Sequence, residues 1–405
     1  MKQQAEPPRA SRAAKKPSWA PSRISYFRSV ADQIEETIRS LRSLGHSTDV
    51  DPNPVIRGVR AESERRCADG DTAYLGDLGI ALLACHQAEP RAWQYLHTFD
   101  HLVRLVVGES GDDDLTQTLR LVAASRAAGH DIDRLGAALL AEKRPQAAWA
   151  AASGGTGAAG DTFRACLVHE LVLREGTVAR SPEIVRWAES AALRSHPLGR
   201  LPLALLDTEQ GWDKGLGDIG EPDRETMVVA GAQPLWPATD ATTAELCEAL
   251  SAAVQNWADD SNGEIEAKVF DLGEPVTPAT IATALPALDL ECLEPGTIPF
   301  RLAVFDISPR IAWWILFHAA LDGSAYGRGR YGAYSRLFAW RSLAALAGAA
   351  EDAGPEEVAA LAEQCSWYHF DAGSEWYSHV FWDIGLVAVR PDGGSLAVLA
   401  ATDTD

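Results

Sequence analysis

The chain has 405 residues, 46% of them apolar, with 36 basic and 57 acidic side chains and a net charge of -21. That length and apolar share support a large buried core and make two domains the expected division. The charge argues against a nucleic-acid or anionic-membrane surface over most of the protein, since phosphate neutralisation needs an extended basic patch, and it favours a basic partner.

The first 23 residues carry six basic side chains, one acid and four prolines, with no apolar run behind them. They read as a disordered basic arm, not a secretory signal. From Ile24 the apolar positions Phe27, Val30, Ile34, Ile38, Leu41 and Leu44 recur at helical spacing, and Gly45 supplies a stop. Further helices are expected over 72–87, 91–108, 113–128, 132–143, 161–175 and 182–194, with Gly129 and Gly176 as ends and Ser181-Pro182-Glu183 as a start. No residue signature repeats between them, so residues 24–211 read as an irregular α-helical array. Residues 147–160, AAWAAASGGTGAAG, read as a flexible break, and without a GK[ST] ending they are no phosphate loop.

Residues 212–225 are rich in turn formers and mark a linker to an α/β domain over 226–405. Strands are expected at 226–230, 264–272 and 300–307, with helical segments at 241–258 and 278–285 among them. Helices follow at 309–321, 333–350 and 355–364. Residues 380–389 and 395–401 then form a hairpin about Pro391-Asp392-Gly393. The expected class is α+β: a helical array, then an α/β domain with a mixed sheet closed by a β-hairpin. The most apolar stretch, residues 310–321, is too short to span a bilayer, so no membrane partner is expected. Six cysteines without paired spacing indicate neither disulfides nor zinc, and read as reduced thiols of a cytoplasmic protein.

Two segments carry candidate chemistry. Residues 226–405 hold eight basic against twenty-five acidic side chains, and four of the eight, Arg328, Arg330, Arg336 and Arg341, fall within residues 322–341. Gly323, Gly327, Gly329 and Gly332 leave amides open to close approach, and a helix starting near Ala333 would aim its positive end at the same place. The anion that belongs there is either a small phosphate or carboxylate ligand or, as is usual in an acidic domain, the protein's own carboxylates. The second segment, residues 367–383 (WYHFDAGSEWYSHVFWD), offers Asp383 or Glu375 as a base, His379 or His369 as a proton shuttle, and Trp376 and Trp382 as recognition surface. Its bland reading is strand residues alternating between core and water. The two segments make a pocket only if they line one cavity.

The remaining groups are weaker. His97 and His101 share a helix face but lack a third ligand, and Cys365, His369 and His379 match no familiar spacing. The closing TDTD reads as a solvated terminus. No cofactor is indicated.

Thirty arginines stand against six lysines, with abundant alanine. Together with AYGRGRYGAYSRLFAWRSLAAL and WYHFDAGSEWYSHVFWDIGLVAVRPDGGSLAVLAATDTD, this composition resembles an uncharacterised actinobacterial family of unknown function over the last hundred residues. The resemblance implies no activity or residue role. The leading functional expectation is a non-catalytic intracellular recognition protein, of immunity or regulatory type, that takes a basic partner on an acidic surface. The rival is a small-molecule enzyme or nucleotide sensor with its anion site on residues 322–341.

Overall fold

The computed structural model describes residues 29–44, 54–108, 112–154, 159–214, 226–227, 237–294, 301–379 and 382–404. The basic arm, the Gly45 stop and most of the 212–225 linker lie outside them.

The first half is helical: α1 (Val30–Arg42), α2 (Pro54–Ala68), α3 (Thr72–Ala88), α4 (Trp93–Gly108), α5 (Asp112–Ala127), α6 (Asp133–Lys143), α7 (Pro145–Ser153), α8 (Asp161–Glu175), α9 (Pro182–Ala188) and α10 (Ala191–Arg194). Local chemistry sets the ends. Ser29 and Asp32 close a reciprocal capping box on α1, and α8 stops where Gly176 takes φ 75°. Two helices were not expected. α2 carries few apolar residues and buries only Ile56, Ser63 and Cys67, so its stripe is faint. α7 occupies the start of the supposed flexible break, because alanine has the highest helix propensity and Pro145 suits the first turn. The expected helix over 182–194 is instead two, α9 and α10.

The second half contains β1 (Thr226–Met227), β2 (Ala238–Asp240), α11 (Ala244–Ser251), α12 (Gln255–Asp260), β3 (Glu264–Leu272), α13 (Ile281–Ala284), β4 (Leu302–Ile307), α14 (Pro309–Asp322), α15 (Tyr331–Ala347), α16 (Pro355–Ala362), β5 (Ser366–Ala372), β6 (Trp382–Val389) and β7 (Ser395–Asp403). The strands form one sheet in the order β1-β4-β5-β6-β7-β3-β2. The architecture is α+β, as expected, but every strand pair is antiparallel, so the expected mixed sheet is corrected. Ile307, which ends β4, lies opposite Trp367 near the start of β5. The three helices between them therefore return the chain to the end it left, which makes the neighbours antiparallel.

β6 and β7 form the hairpin, closed by Arg390 N to Ser395 O at 3.0 Å and Gly393 N to Arg390 O at 2.8 Å. β7 pairs with β6 on one side and β3 on the other. It runs to Asp403, which is fully buried, so the solvated TDTD terminus is also corrected.

Alternation along the strands divides the apolar side chains between two clusters. Ala267, Val269, Trp367, Ile384, Leu386, Ala397 and Leu399 join a cluster that continues through α14 and α15 into the helical half. Phe270, Leu302, Tyr368, Phe370, Val387, Leu396 and Val398 pack on the other face against Ile281, Leu285 and Leu288. The sheet thus has one face on the helices and one on the segment around α13.

Candidate functional site

The arginine segment spans the turn from α14 into α15, and three of its four arginines lie within hydrogen-bonding distance of the chain's own carboxylates. Arg336 is fully buried. Its Nε donates to Glu209 Oε1 at 2.5 Å and its Nη2 to Glu209 Oε2 at 2.8 Å and Ala204 O at 3.0 Å. Its Nη1 donates to Pro202 O at 2.9 Å and His169 Nδ1 at 3.1 Å. A guanidinium has five N–H donors, and these five contacts match them one for one. His169 Nδ1 must accept, so the ring is neutral, and burial followed by the neighbouring Arg336 charge pushes its pKa well below 6.5. Glu209 also accepts from Trp340 Nε1 at 2.8 Å and from Leu206 N at 2.7 Å.

A second internal carboxylate occupies the start of α15. Glu170, buried on α8, accepts from Ala333 N at 2.9 Å and from Arg174 Nη1 at 2.6 Å. It takes the place at a helix N-terminus where an external anion would sit. Burial raises its pKa, against the pull of Arg174 and the helix amides. Gly332 permits the approach: a Cβ there would lie 2.6 Å from Leu173 Cδ1 and 2.8 Å from Glu170 Oε2.

Arg341 pairs at the surface with Glu248 at 2.8 Å. Arg328 Nη1 reaches Asp100 Oδ2 at 2.6 Å, and the same carboxylate lies 3.2 Å from His130 Nε2. Burial alone would raise the Asp100 pKa, but His130 and Arg328 outweigh it and hold the carboxyl below its usual range. Arg330 stands 3.8 Å from both Asp259 and Asp260. Arg328 and Arg330 line a cavity of about 310 Å³ with His130, Asp131, Arg134 and Asp260. Arg336 and Arg341 do not reach it. Arg336 would have to abandon Glu209 to meet any ligand, so its place among the ligand-binding arginines is corrected.

The aromatic strip divides. Its first part is β5, where Trp367 faces the helices and donates to Ala362 O at 2.7 Å while Tyr368 and Phe370 face the other way. His369 stacks on Phe305 at 5.8 Å. Trp376 packs against the cluster on one face of the sheet and Trp382 against that on the other, so the two tryptophans form no common surface. Glu375 is exposed. His379 and Asp383 do come together: His379 Nδ1 lies 3.2 Å from Asp383 Oδ2, and the Thr402 hydroxyl donates to Asp383 Oδ1 at 2.6 Å. His379 has φ 52°, a left-handed conformation uncommon outside glycine. None of residues 367–379 or 382–383 lines the arginine cavity. The nearest link is Asp403, opposite Trp382 in the sheet, whose Oδ2 accepts from Ala325 N at 2.5 Å.

His97 contacts Arg60 and packs edge-on against Trp93 at 5.5 Å, and His101 lies 3.6 Å from Glu64. Among the described residues no group of three or more His, Cys, Asp and Glu is placed to hold a metal ion. Burial raises the Cys365 thiol to about 11, and its Sγ donates to Leu361 O at 3.5 Å, as in a structural thiol.

Compared with known proteins, residues 57–405 match the model of a family of unknown function, DUF6183. The chain belongs to that family. The DUF6183 match is wider than the C-terminal hundred residues that carried the sequence resemblance, and it takes in Glu170, Glu209 and all four arginines. No curated protein and no solved structure matches the chain.

Sequence reading missed Glu170, His169 and Glu209. A signal existed for the first two: in α8 (DTFRACLVHELVLRE) His169-Glu170 interrupts an apolar run, and a buried charge requires a partner. Glu209 lies in a polar turn with nothing local to mark it.

Proposed function

We propose that the protein is a non-catalytic recognition protein of immunity or regulatory type that binds a basic partner through its acidic surface. The supporting observation is the internal commitment of its arginine segment. Arg336 and Arg341 are paired with carboxylates, Arg328 with Asp100, and the start of α15 with Glu170. The chain also presents an outward acidic patch. Glu351, Asp352, Glu356, Glu357 and Glu363, on α16 and its approach, are exposed, and among the described residues none forms an ion pair. The catalytic candidates fit this reading, since His379 and Asp383 lie away from the arginine cavity. A cytoplasmic setting belongs to the same proposal, supported by six free cysteines. No helix among the described residues is long and apolar enough to cross a membrane.

Charge-paired association weakens with salt, because exposed charges are screened beyond roughly 8 Å at physiological ionic strength. The chain should therefore retain a basic protein from its native lysate at low salt and release it at high salt. The triple variant Glu351→Lys, Asp352→Lys, Glu363→Lys, which spares the capping box that Glu357 closes on α16, should fail to retain it while melting normally. Retention unchanged by both the substitutions and salt would refute the acidic-surface reading.

A further inference from the structure

We infer that the cavity between the α5–α6 corner and the start of α15 is a binding site for the phosphate group of a small molecule, held by Arg134 and Arg330 and walled by Arg328. This is independent of the recognition surface on α16.

Three guanidiniums converge on about 310 Å³ of space, at the lower end of the roughly 300–1,000 Å³ usual for small-molecule sites. They are not equally engaged. Arg328 is fixed by Asp100, which also holds His130, so that carboxylate braces the wall. Arg134 has its guanidinium 3.7 Å from the Tyr334 ring centroid, forms no ion pair among the described residues, and has a buried Nε without a hydrogen-bond acceptor. Arg330 is 28% exposed, and both its carboxylate neighbours stand at 3.8 Å, beyond hydrogen-bonding distance.

A buried guanidinium N–H without an acceptor is costly, and Arg134 Nε beside an Arg330 that is held only by ion pairs at 3.8 Å indicates a place for an anion. The acids on the lining do not fill that role. Asp131 and Asp260 are exposed to water, and Asp131 Oδ1 accepts from Asp133 N at 2.8 Å. Tyr331, also on the lining, holds φ 59°, a strained conformation for a non-glycine residue, and so turns the chain from Arg330 into α15. Two forks with no carboxylate within hydrogen-bonding distance suit a ligand with three or more oxygens better than a carboxylate with two, because each fork takes a pair of oxygens.

Isothermal titration of the full chain with inorganic phosphate, at ionic strength matched with sodium chloride, tests the site, with succinate as the carboxylate arm. Saturable phosphate binding at least about tenfold tighter than succinate binding is expected. Arg330→Gln, which removes two 3.8 Å surface ion pairs and no side-chain hydrogen bond among the described residues, should weaken phosphate binding tenfold or more with a nearly unchanged melting temperature. Arg134→Gln should do the same, with Arg134→Lys retaining part of the affinity; if Arg134→Gln fails to fold, Arg330→Gln decides alone. Arg180→Gln, on an exposed residue outside the cavity, should change nothing. Absence of phosphate binding, succinate binding of equal or greater strength, or phosphate binding that survives Arg330→Gln would each overturn the assignment.

Discussion

The arginine segment and the aromatic strip are both dense in functional residue types, yet they line no common cavity. The strip is resolved locally: β5 carries its aromatics to the two faces of the sheet by simple alternation, and among the described residues Asp371, Glu375, Ser378 and His379 are the exposed ones. The arginine segment is resolved at long range. Arg336 is satisfied 127 residues away at Glu209, and Ala333 is capped 163 residues away by Glu170. Residue type in a short window therefore says what chemistry a segment needs, and the distant partners decide whether that need is met inside the protein or left for a ligand.

The strip depends on β7 for its support. Deleting residues 396–405 removes most of β7, which is hydrogen-bonded to β6 and β3 and contributes fully buried Leu396, Val398 and Leu399. Loss of cooperative unfolding and rapid proteolysis of the C-terminal half are expected; a truncated chain that melts like the parent would contradict the central place given to β7. A smaller effect is expected at the α8–α15 contact. Gly332→Ala forces its Cβ against Leu173 and Glu170 and should cost about 1–3 kcal/mol in chemical denaturation.

Acid acts on the long-range contacts of the arginine segment. His169 is neutral when folded because burial and Arg336 lower its pKa, whereas in the unfolded chain it titrates near 6.5. Its share of stability is complete above pH 6.5 and is lost as pH falls, by up to about 1.4 kcal/mol for each pH unit. His169→Gln keeps an acceptor for Arg336 and should make the slope of stability between pH 6 and 5 shallower; an unchanged slope would show that His169 does not titrate in this way. The smallest effect is expected at Arg341. Its partner Glu248 is exposed, and pairs of that kind are worth about 0–1 kcal/mol, so Arg341→Ala should hardly move the melting temperature.

Much of the fold was legible. Runs with strong period, such as α3, α4, β3 and the β6–β7 hairpin, stand where the sequence places them, because local pattern and tertiary environment agree there. α7 was missed because an alanine-rich run looks like low complexity, and β5 follows the strand alternation that was the bland reading of residues 367–383, set beside a functional one because of its aromatics. The site was half legible. Positive charge at Arg328 and Arg330 was visible in sequence, but Arg134 lies in a helix start with nothing to link it to residues 328–330. Glu209 gave no sign at all, since pairing across 127 residues leaves no mark on local composition.

The central claim is that Arg336 and Glu209 form an internal clasp between the helical half and α15. A double-mutant cycle with Arg336→Met and Glu209→Leu, read by chemical denaturation, tests it most directly. Each single substitution should cost about 3–5 kcal/mol, because each strands a buried charge, and the double variant should recover about 2–3 kcal/mol or more of their sum. Single costs below about 1 kcal/mol, or costs that simply add, would show that the two side chains do not meet in the folded protein.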